Sequence, residues 1–278
     1  MVKATKLYKY VTIGLTGLSC IIGTALTVNG IHLRLTSGFF SDEVVTLLSK
    51  IEYSNIEYGR MLLILVYGMI GSGVMTIFTG VIGVYGAAKR SQRTQRGFIV
   101  LAVLLLIIQA VIAGFWVSAR VKTDEWLKGE MLTLLGDYQG PEEMDEISDG
   151  WNELFMKAYC CGVHDQYSNG ATTSDFEQQQ SVWANTNGNS EKVPATCCQG
   201  VDKDEDITLF INTDCTTAPE DFYSKGCYED LQDLVEFHSV FSFCAAGCLL
   251  IIKMFAIFTI CYLQDDDNRI VPFFKSRS

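Results

Sequence analysis

Four long apolar stretches dominate the pattern of hydrophobic and polar positions along the chain. They cover residues 11–33, 61–85, 98–118 and 239–263. Each reaches or exceeds the roughly 20 residues that a helix needs to cross the hydrocarbon core of a bilayer. The pattern therefore predicts an all-α membrane protein with four transmembrane helices and with both termini on the same side of the membrane.

Basic residues on two short segments predict which side of the membrane holds the termini. Residues 1–10 and residues 86–97 carry Lys and Arg and no Asp or Glu. The basic residues are Lys3, Lys6, Lys9, Lys89, Arg90, Arg93 and Arg96. Positive charges beside short apolar spans mark the cytosolic side. We therefore expect a cytosolic N-terminus (1–10), a small outer loop (34–60), a cytosolic loop (86–97), a large outer loop (119–238) and a cytosolic tail (264–278).

A cleaved signal peptide is the alternative for the first apolar stretch. That stretch is longer than the apolar part of a signal peptide, and no clean pattern of small residues for cleavage follows it. We expect a retained membrane anchor.

The charge of the chain is concentrated in the large loop. Residues 119–237 contain 25 Asp and Glu against 7 Lys and Arg, a formal charge of −18, whereas the whole chain carries −11. Such a surface repels nucleic acid and anionic lipid and suits a polar extracellular medium. Nucleic acid is therefore not an expected partner.

Six of the ten cysteines lie in the large loop. They are Cys160, Cys161, Cys197, Cys198, Cys215 and Cys227. An even set of cysteines outside the cytosol predicts disulfides. The adjacent Cys160 and Cys161 point in different directions, so they need two different partners, whereas a zinc site favours spaced thiolates such as a C-x-x-C pair. The residues alone leave the pairing open.

Apolar spacing predicts three helices in the large loop. One continues the third span through Leu127, Met131, Leu134 and Leu135. A second follows Pro141 with Met144, Ile147, Trp151, Leu154 and Ala158. A third begins after Pro219, places Cys227, Leu231, Leu234, His238 and Phe241 on one face and runs into the fourth span. The segment 163–226 between them has weak periodicity, so we expect its disulfides to hold it together.

Three cysteine motifs occur in a fixed order in this loop. They are Cys160-Cys161-Gly162, Pro194-Ala195-Thr196-Cys197-Cys198 and Gly226-Cys227. With the four spans and the two loops they resemble the tetraspanin family over the whole chain. The glycines Gly80, Gly83 and Gly86, followed by Ala87-Ala88-Lys89, also resemble the end of the second span in that family.

The resemblance implies both a fold and a function. It implies four transmembrane helices with a mainly helical, disulfide-stapled large extracellular loop, and the pairs Cys160 with Cys227, Cys161 with Cys197 and Cys198 with Cys215. It implies a scaffold that binds receptors, integrins, other tetraspanins and membrane lipids, and it allows the chain to form homo-oligomers. It implies no cofactor, and a location in the plasma membrane and in endosomal membranes.

Two polar residues lie deep within the apolar stretches. At about 1.5 Å per residue, Gln109 and Lys253 both lie roughly 15 Å from the cytosolic end of their spans. Because a charge in hydrocarbon is costly, we expect Lys253 to donate a hydrogen bond to Gln109 or to a backbone carbonyl. A snorkelling side chain and a residue that lines an ion path are the alternatives. Tetraspanins often carry a carboxylate or Gln here, so a cation is a departure.

Small residues and cysteines fill other membrane positions. Glycines predict close helix packing in two rows, Gly14, Gly17 and Gly23 in the first span and Gly73, Gly80 and Gly83 in the second. Cys261 lies at the expected cytosolic end of the fourth span. Its S-palmitoylation is one hypothesis, and the alternative is that it serves only as a small apolar residue. Cys20, Cys244 and Cys248 are expected to serve packing.

No enzyme class follows from the sequence. The histidines His32, His164 and His238 are dispersed, and His164 beside Asp165 is interpreted as a solvated pair. The acidic run 202–206 lacks the glycine and the terminal glutamate of an EF-hand, which favours a solvated turn over a calcium site. We therefore predict neither a catalytic residue nor a metal site.

A membrane scaffold is the function that the sequence favours, with partner choice in residues 163–226. A four-span adhesion or junction protein is the main alternative. Claudin-like junction proteins carry paired cysteines in the first outer loop, and residues 34–59 contain none. A small transporter that uses Lys253 is a weaker alternative, because no second charge lies well inside the four stretches.

Overall fold

The computed structural model describes most of the chain. The described residues are 2–53, 56–89, 91–122, 124–143, 145–165, 174–188, 190–201, 213–218 and 221–275. They form two compact units. The first unit comprises Met1–Ile31, Val66–Val117 and Ser239–Ser278, and the second comprises His32–Leu65 and Ser118–His238.

The described residues are mainly helical. In chain order the elements are α1 (Val2–Thr36), α2 (Asp42–Ser49), β1 (Glu52–Tyr53), β2 (Ile56–Glu57), α3 (Tyr58–Lys89), α4 (Gln92–Lys122), α5 (Asp124–Gly136), α6 (Glu146–Ala158), α7 (Asp175–Gln178), α8 (Val182–Asn187), α9 (Asp214–Thr217) and α10 (Cys227–Lys275). Short 3-10 helices cover Gly38–Phe40 and Ala195–Cys197.

Four helical segments are long and apolar enough to cross a membrane. They are Lys6–Thr36, Tyr58–Lys89, Gln92–Gly114 and Cys227–Tyr262. The prediction of an all-α membrane protein with four such helices is confirmed. The last of these helices begins at Cys227 and not directly after Pro219, because residues 221–226 are not helical and Phe222 forms a β-bridge with Cys198.

The first unit is a bundle of α1, α3, α4 and α10 held by apolar and small residues. One buried cluster joins Leu26, Met69, Ala245 and Leu249, and another joins Phe98, Ala102, Ala256 and Ile260. The buried hydroxyl of Thr12 donates to Thr259 Oγ1 at 2.8 Å and links α1 to α10. The apolar residues that remain exposed on these helices suit contact with lipid tails.

Glycines allow α1 and α3 to approach closely, but not at every predicted position. A methyl group on Gly73 would lie 2.7 Å from the carbonyl oxygen of Gly23, and one on Gly80 would lie 3.0 Å from that of Thr16. Gly14 and Gly17 have no neighbouring atom within 4 Å of such a methyl group. The packing role predicted for these two glycines is therefore wrong, because they face away from α3.

The second unit is built on α6, which begins after the capping residue Asp145 and ends before Tyr159. Asp145 caps the helix by accepting hydrogen bonds from the backbone N–H groups of Ile147 and Ser148. The helix ends where Tyr159 adopts a left-handed backbone, with φ at 57°. This left-handed residue turns the chain out of the helix immediately before Cys160.

The small loop packs α2 against α6. Val44, Leu47 and Leu48 are buried on one face of α2. On α6, Gly150 leaves room for this face, since a methyl group there would lie 2.6 Å from Leu47 Cβ. The two-residue strands β1 and β2 form a short antiparallel hairpin after α2. Both loops therefore belong to one folded unit.

An aromatic core lies inside the large loop. Phe155 from α6 contacts Phe176 and Tyr138 with ring centroids 5.9 and 6.0 Å apart, and Phe176 contacts Trp183 at 5.4 Å. Trp151 stacks on Phe155 at 5.4 Å, and all five rings are buried. The expectation that residues 163–226 depend on disulfides alone is therefore wrong, because Phe176 and Trp183 anchor that segment in an apolar core.

Candidate functional site

The six cysteines of the large loop form three disulfides. Cys160 is joined to Cys227, Cys161 to Cys197 and Cys198 to Cys215, with Cα atoms 5.0, 5.4 and 6.0 Å apart. These are the pairs that the family resemblance implies. The adjacent Cys160 and Cys161 hold two distant parts of the loop at the end of α6, and all but the half-buried Cys215 are buried.

The turn after the paired cysteines is held by a carboxylate. Gly162 adopts a φ of 67°, which favours glycine. Asp175 Oδ2 then accepts hydrogen bonds from the backbone N–H groups of Val163 at 2.8 Å and of His164 at 2.6 Å. The ring of His164 contacts Asp175 Oδ1 at 3.1 Å through Nδ1. Asp175 therefore fixes the start of the segment that follows the first cysteine motif.

The sequence interpretation of His164 beside Asp165 as a pair is wrong. The ring of His164 lies against Asp175, and Asp165 Oδ1 accepts the backbone N–H of Gly226 at 2.8 Å. Asp175 therefore holds the segment after Gly162, whereas Asp165 holds the segment before α10.

Gly226 lets the start of α10 meet the first cysteine motif. A methyl group at this position would overlap the backbone atoms of Val163 and His164. The backbone N–H of Cys227 donates to Gly162 O at 3.1 Å, and that of Cys161 donates to Lys225 O at 2.9 Å. The Gly-Cys motif is thus explained by close backbone contact beside the Cys160–Cys227 disulfide.

The Pro194-Ala195-Thr196-Cys197-Cys198 motif forms a turn that attaches to α6. Pro194 precedes the 3-10 helix Ala195–Cys197, and the N–H of Cys197 donates to its carbonyl at 3.0 Å. The buried Thr196 hydroxyl donates to Asn152 Oδ1 at 3.1 Å, and Tyr138 donates to the same oxygen at 2.8 Å. Burial raises the pKa of Tyr138, so it remains a donor.

Lysines of the large loop pair with acidic side chains. Lys128 Nζ lies 3.2 Å from Glu229 Oε1 and links α5 to the start of α10. Lys225 pairs with Asp230 and with Asp233, and the hydrogen bond that its ammonium group donates to Asp230 is the main cause of its raised pKa. These contacts lie on the surface, so each contributes about 1 kcal/mol or less to stability.

Helix α8 is buried on one side and exposed on the other. Trp183 is buried in the aromatic core, and its backbone N–H donates to Tyr138 O at 2.9 Å. Val182, Asn185 and Thr186 are exposed. The disulfides and the aromatic core therefore position a short helix whose outer residues are free to differ without loss of the core.

A polar cluster lies within the first unit. Lys253 Nζ donates to Gln109 Oε1 at 3.3 Å, and Gln109 Nε2 donates to Thr76 Oγ1 at 3.4 Å. Lys253 is only 3% exposed, so the structure contradicts a snorkelling side chain. The contacts join α3, α4 and α10 inside the bundle. A small cavity of about 30 Å³ beside this cluster is lined by Gln109, Met69 and Ser242 among others.

The four cysteines outside the large loop differ in exposure. Cys20 is half-buried and its Sγ lies 3.6 Å from Ile77 O, as its predicted packing role requires. Cys244, Cys248 and Cys261 are exposed on α10. The packing role predicted for Cys244 and Cys248 is therefore wrong, because both lie on the face of α10 that points away from the bundle.

The remaining sequence hypotheses concern metals and catalysis. Within the part of the chain that the structure describes, no three His, Cys, Asp or Glu side chains are grouped so that they could hold a metal ion. The acidic run 202–206, the calcium alternative, lies outside the described residues, as does Met144. His32 lies on α1 and His238 on α10, and the first of them contacts Thr36 Oγ1 at 3.2 Å.

Two comparisons with known proteins agree with this geometry. A profile described as Tetraspanin family matches residues 8–265. Human Tetraspanin-16 is 28% identical over 60% of this chain, and human CD82 antigen is 25% identical over 60%. Each of these two alignments spans 62% of the relative's own length. Human Tetraspanin-4 is 24% identical over 94% of this chain and 95% of its own length.

Proposed function

This chain belongs to the tetraspanin family, and from that premise we propose that it is a membrane scaffold. In this proposal it binds other membrane proteins laterally through its large loop and its transmembrane helices, and it gathers them into membrane microdomains. The partners proposed are receptors, integrins, other tetraspanins and further copies of this chain, together with membrane lipids. The proposed role is not enzymatic.

The proposed setting follows the distribution of charge. Basic residues at the start of α1 and between α3 and α4 support a cytosolic N-terminus and a cytosolic C-terminus. The disulfides of the large loop support an outward-facing loop in an oxidising compartment. We place the protein in the plasma membrane and in endosomal membranes.

The observation that supports the proposal is that the outer side of α8 is exposed to solvent. A disulfide frame and an aromatic core hold its inner side, and Val182 is 48% exposed on its outer side. An exposed apolar residue on an otherwise acidic loop suits a protein contact. We propose that partner choice resides mainly in residues 163–226, of which α8 is a rigid part.

The test is an exchange of residues 163–226 for the same region of another tetraspanin, with Cys197, Cys198 and Cys215 kept in place. Partners that are captured by proximity labelling and mild-detergent purification should change to those of the donor. Unchanged partners would show that the helices or the small loop select them, and the placement of partner choice would be wrong.

A single substitution sharpens the test. Val182→Glu places a charge on the exposed side of α8 and should reduce partner capture, because it disrupts an apolar contact without touching the core. Thr133→Glu adds the same charge to an exposed position of α5 and is the matched control. Equal effects of the two variants would assign the loss to general repulsion by the acidic loop.

We also propose that Cys261 is S-palmitoylated. Its thiol is exposed near Tyr262, where the apolar part of α10 ends on the side that would face the cytosol. A hydroxylamine-sensitive acyl label should disappear in Cys261→Ser and persist in Cys244→Ser, which removes an exposed thiol farther along the span. A label that survives Cys261→Ser would refute this site.

A further inference from the structure

A basic surface lies at one end of the helix bundle, where α1 and α4 begin and α3 ends. We define it by five residues, Lys6, Lys9, Lys89, Arg93 and Arg96. Lys9 is half-buried and the other four are exposed. All five belong to the first unit, and they come from three different helices.

Hydrogen bonds hold these three helix ends together. Lys9 Nζ donates to the carbonyl oxygen of Ala88 at 3.1 Å, and this contact joins α1 to the last turn of α3. The buried Gln95 donates through Nε2 to Gly86 O at 3.4 Å and joins α4 to the same turn. The cations therefore occupy a surface that the backbone fixes, and not separate tails.

No carboxylate neutralises this surface in the part of the chain whose side chains the structure describes. None of the five cations lies in an ion pair there. Lysines of the second unit behave differently, since Lys50, Lys128, Lys192 and Lys225 each pair with Asp or Glu. Residues 1–33 and 86–97 contain no acidic residue at all.

The position of the arginines adds to the positive field. The first turn of α4 holds no acidic residue, and Arg93 and Arg96 lie near this end. The N-terminus of a helix carries a partial positive charge, so a cation there is unfavourable and an anion is favourable. Residues 264–278 contain three acidic and three basic residues, so this tail has no formal net charge.

We propose that this basic surface binds the headgroups of polyanionic phospholipids, of the phosphatidylinositol bisphosphate class. Guanidinium groups match phosphate oxygens in geometry and charge, and lysines add attraction without fixed geometry. A cluster of four or more cations directly beside membrane-spanning helices is where anionic headgroups concentrate. The proposed scaffold includes membrane lipids among its partners, and this proposal adds the class of lipid and the residues that bind it. The contact involves neither the large loop nor a protein partner.

The test uses the full-length protein in neutral detergent and a fluorescent short-chain phosphatidylinositol bisphosphate, with binding followed by fluorescence polarisation. A phosphatidylcholine with the same chains and dye is the reference lipid. We expect saturable binding of the polyanionic lipid that weakens as salt is raised, since the contact is electrostatic. Equal binding of the two lipids would overturn the proposal.

Two sets of variants localise the lipid. Lys89→Gln, Arg93→Gln and Arg96→Gln together should weaken binding about one hundredfold, at about fivefold for each cation removed. The swap Lys89→Arg, Arg93→Lys and Arg96→Lys keeps the charge and should retain most of the affinity. Unchanged affinity in the glutamine variant, or equal loss in both variants, would refute the assignment.

Folding and competing anions are controlled separately. If the triple glutamine variant loses its wild-type thermal transition, Lys6→Gln with Lys89→Gln removes two exposed cations from different helices and should still weaken binding about 25-fold. Unchanged affinity in that pair would also refute the assignment. Displacement of the lipid by equal concentrations of inositol trisphosphate or polyglutamate would assign the surface to a soluble anion or an acidic protein instead.

Discussion

At the scale of single residues, one carboxylate makes three polar contacts beside the paired cysteines. Asp175 accepts two backbone N–H groups and contacts the ring of His164. It is 5% exposed, so these hydrogen bonds are shielded from water. A charged acceptor in such a place contributes more than a surface ion pair does.

Loss of this carboxylate should destabilise the second unit. Asp175→Ala leaves two backbone N–H groups without their acceptor, and we expect the free energy of unfolding to fall by about 3 kcal/mol. Asp137→Ala, at an exposed position, is the control and should change it by no more than about 0.5 kcal/mol. Thermal unfolding of the purified protein measures both, and equal midpoints would contradict the prediction.

The sequence did not reveal this role. Asp165 adjoins His164 and was the natural partner to expect, whereas Asp175 is ten residues farther along. The direction of a side chain after a left-handed turn depends on backbone angles that spacing does not encode. The polar pair in the membrane was easier to foresee, since a regular helix rise fixes depth from residue number alone.

Because Lys253 is a buried cation and Gln109 is its acceptor, we expect substitutions of the two residues to change stability by different amounts. Lys253→Met removes the buried charge and should leave stability unchanged or higher. Gln109→Leu leaves the ammonium without this acceptor and should lower stability by about 2 kcal/mol or more. Thermal unfolding in a neutral detergent compares the two. Greater damage from Lys253→Met than from Gln109→Leu would instead favour a functional cation.

At the scale of elements, the contact of α1 with α3 depends on which glycines face the partner. Small-residue rows were visible in the sequence, and Gly23, Gly73, Gly80 and Gly83 do allow close approach. Gly14 and Gly17 belong to the same apparent row and face open space. A row of small residues can be recognised in the sequence. Which of them face the partner helix depends on the rotation of each helix about its axis, and this rotation follows from packing against several neighbours.

Two glycines one half-turn apart on α3 test this contact. A methyl group on Gly73 would lie 2.7 Å from Gly23 O and would also overlap Thr27, whereas one on Gly71 would have no neighbour within 4 Å. Gly73→Ala should cost about 2 kcal/mol of stability through overpacking. Gly71→Ala should be neutral or slightly stabilising. Equal melting temperatures for the two variants would show that α1 and α3 do not meet here.

The short helices of the large loop were not predicted from the sequence. Helices α7, α8 and α9 have four, six and four residues, too few for an apolar repeat to be recognised. Phe176 and Trp183 hold α7 and α8 in the aromatic core, and the Cys198–Cys215 disulfide holds α9. The spacing of these two aromatics, seven residues apart, was the available signal for a core in this segment.

At the scale of the whole molecule, the fold was largely predictable because the bilayer limits the possibilities. Four apolar stretches of spanning length permit little besides helices, since backbone polar groups must be satisfied within the segment. The three disulfides have the pairing that the cysteine motifs imply by resemblance. The interior of the large loop was less predictable, because its core joins aromatics from distant segments.

The disulfides should differ in their contribution to stability. The Cys160–Cys227 bridge spans 67 residues and the Cys198–Cys215 bridge spans 17. Chain entropy assigns about 4 kcal/mol to the longer loop and about 3 kcal/mol to the shorter. Replacing both cysteines of a pair by Ser should lower the melting temperature of the second unit more for Cys160 and Cys227. A larger loss for Cys198 and Cys215 would contradict this order.

The arrangement of these bridges also decides what a protease can release. The Cys160–Cys227 bridge encloses both other bridges in sequence. A cut anywhere between residues 161 and 227 therefore leaves the two pieces joined covalently. Cuts in both inner loops still leave every fragment attached through Cys161–Cys197 and Cys198–Cys215. While its cysteines stay oxidised, this loop can be cut once within either inner loop without losing a fragment.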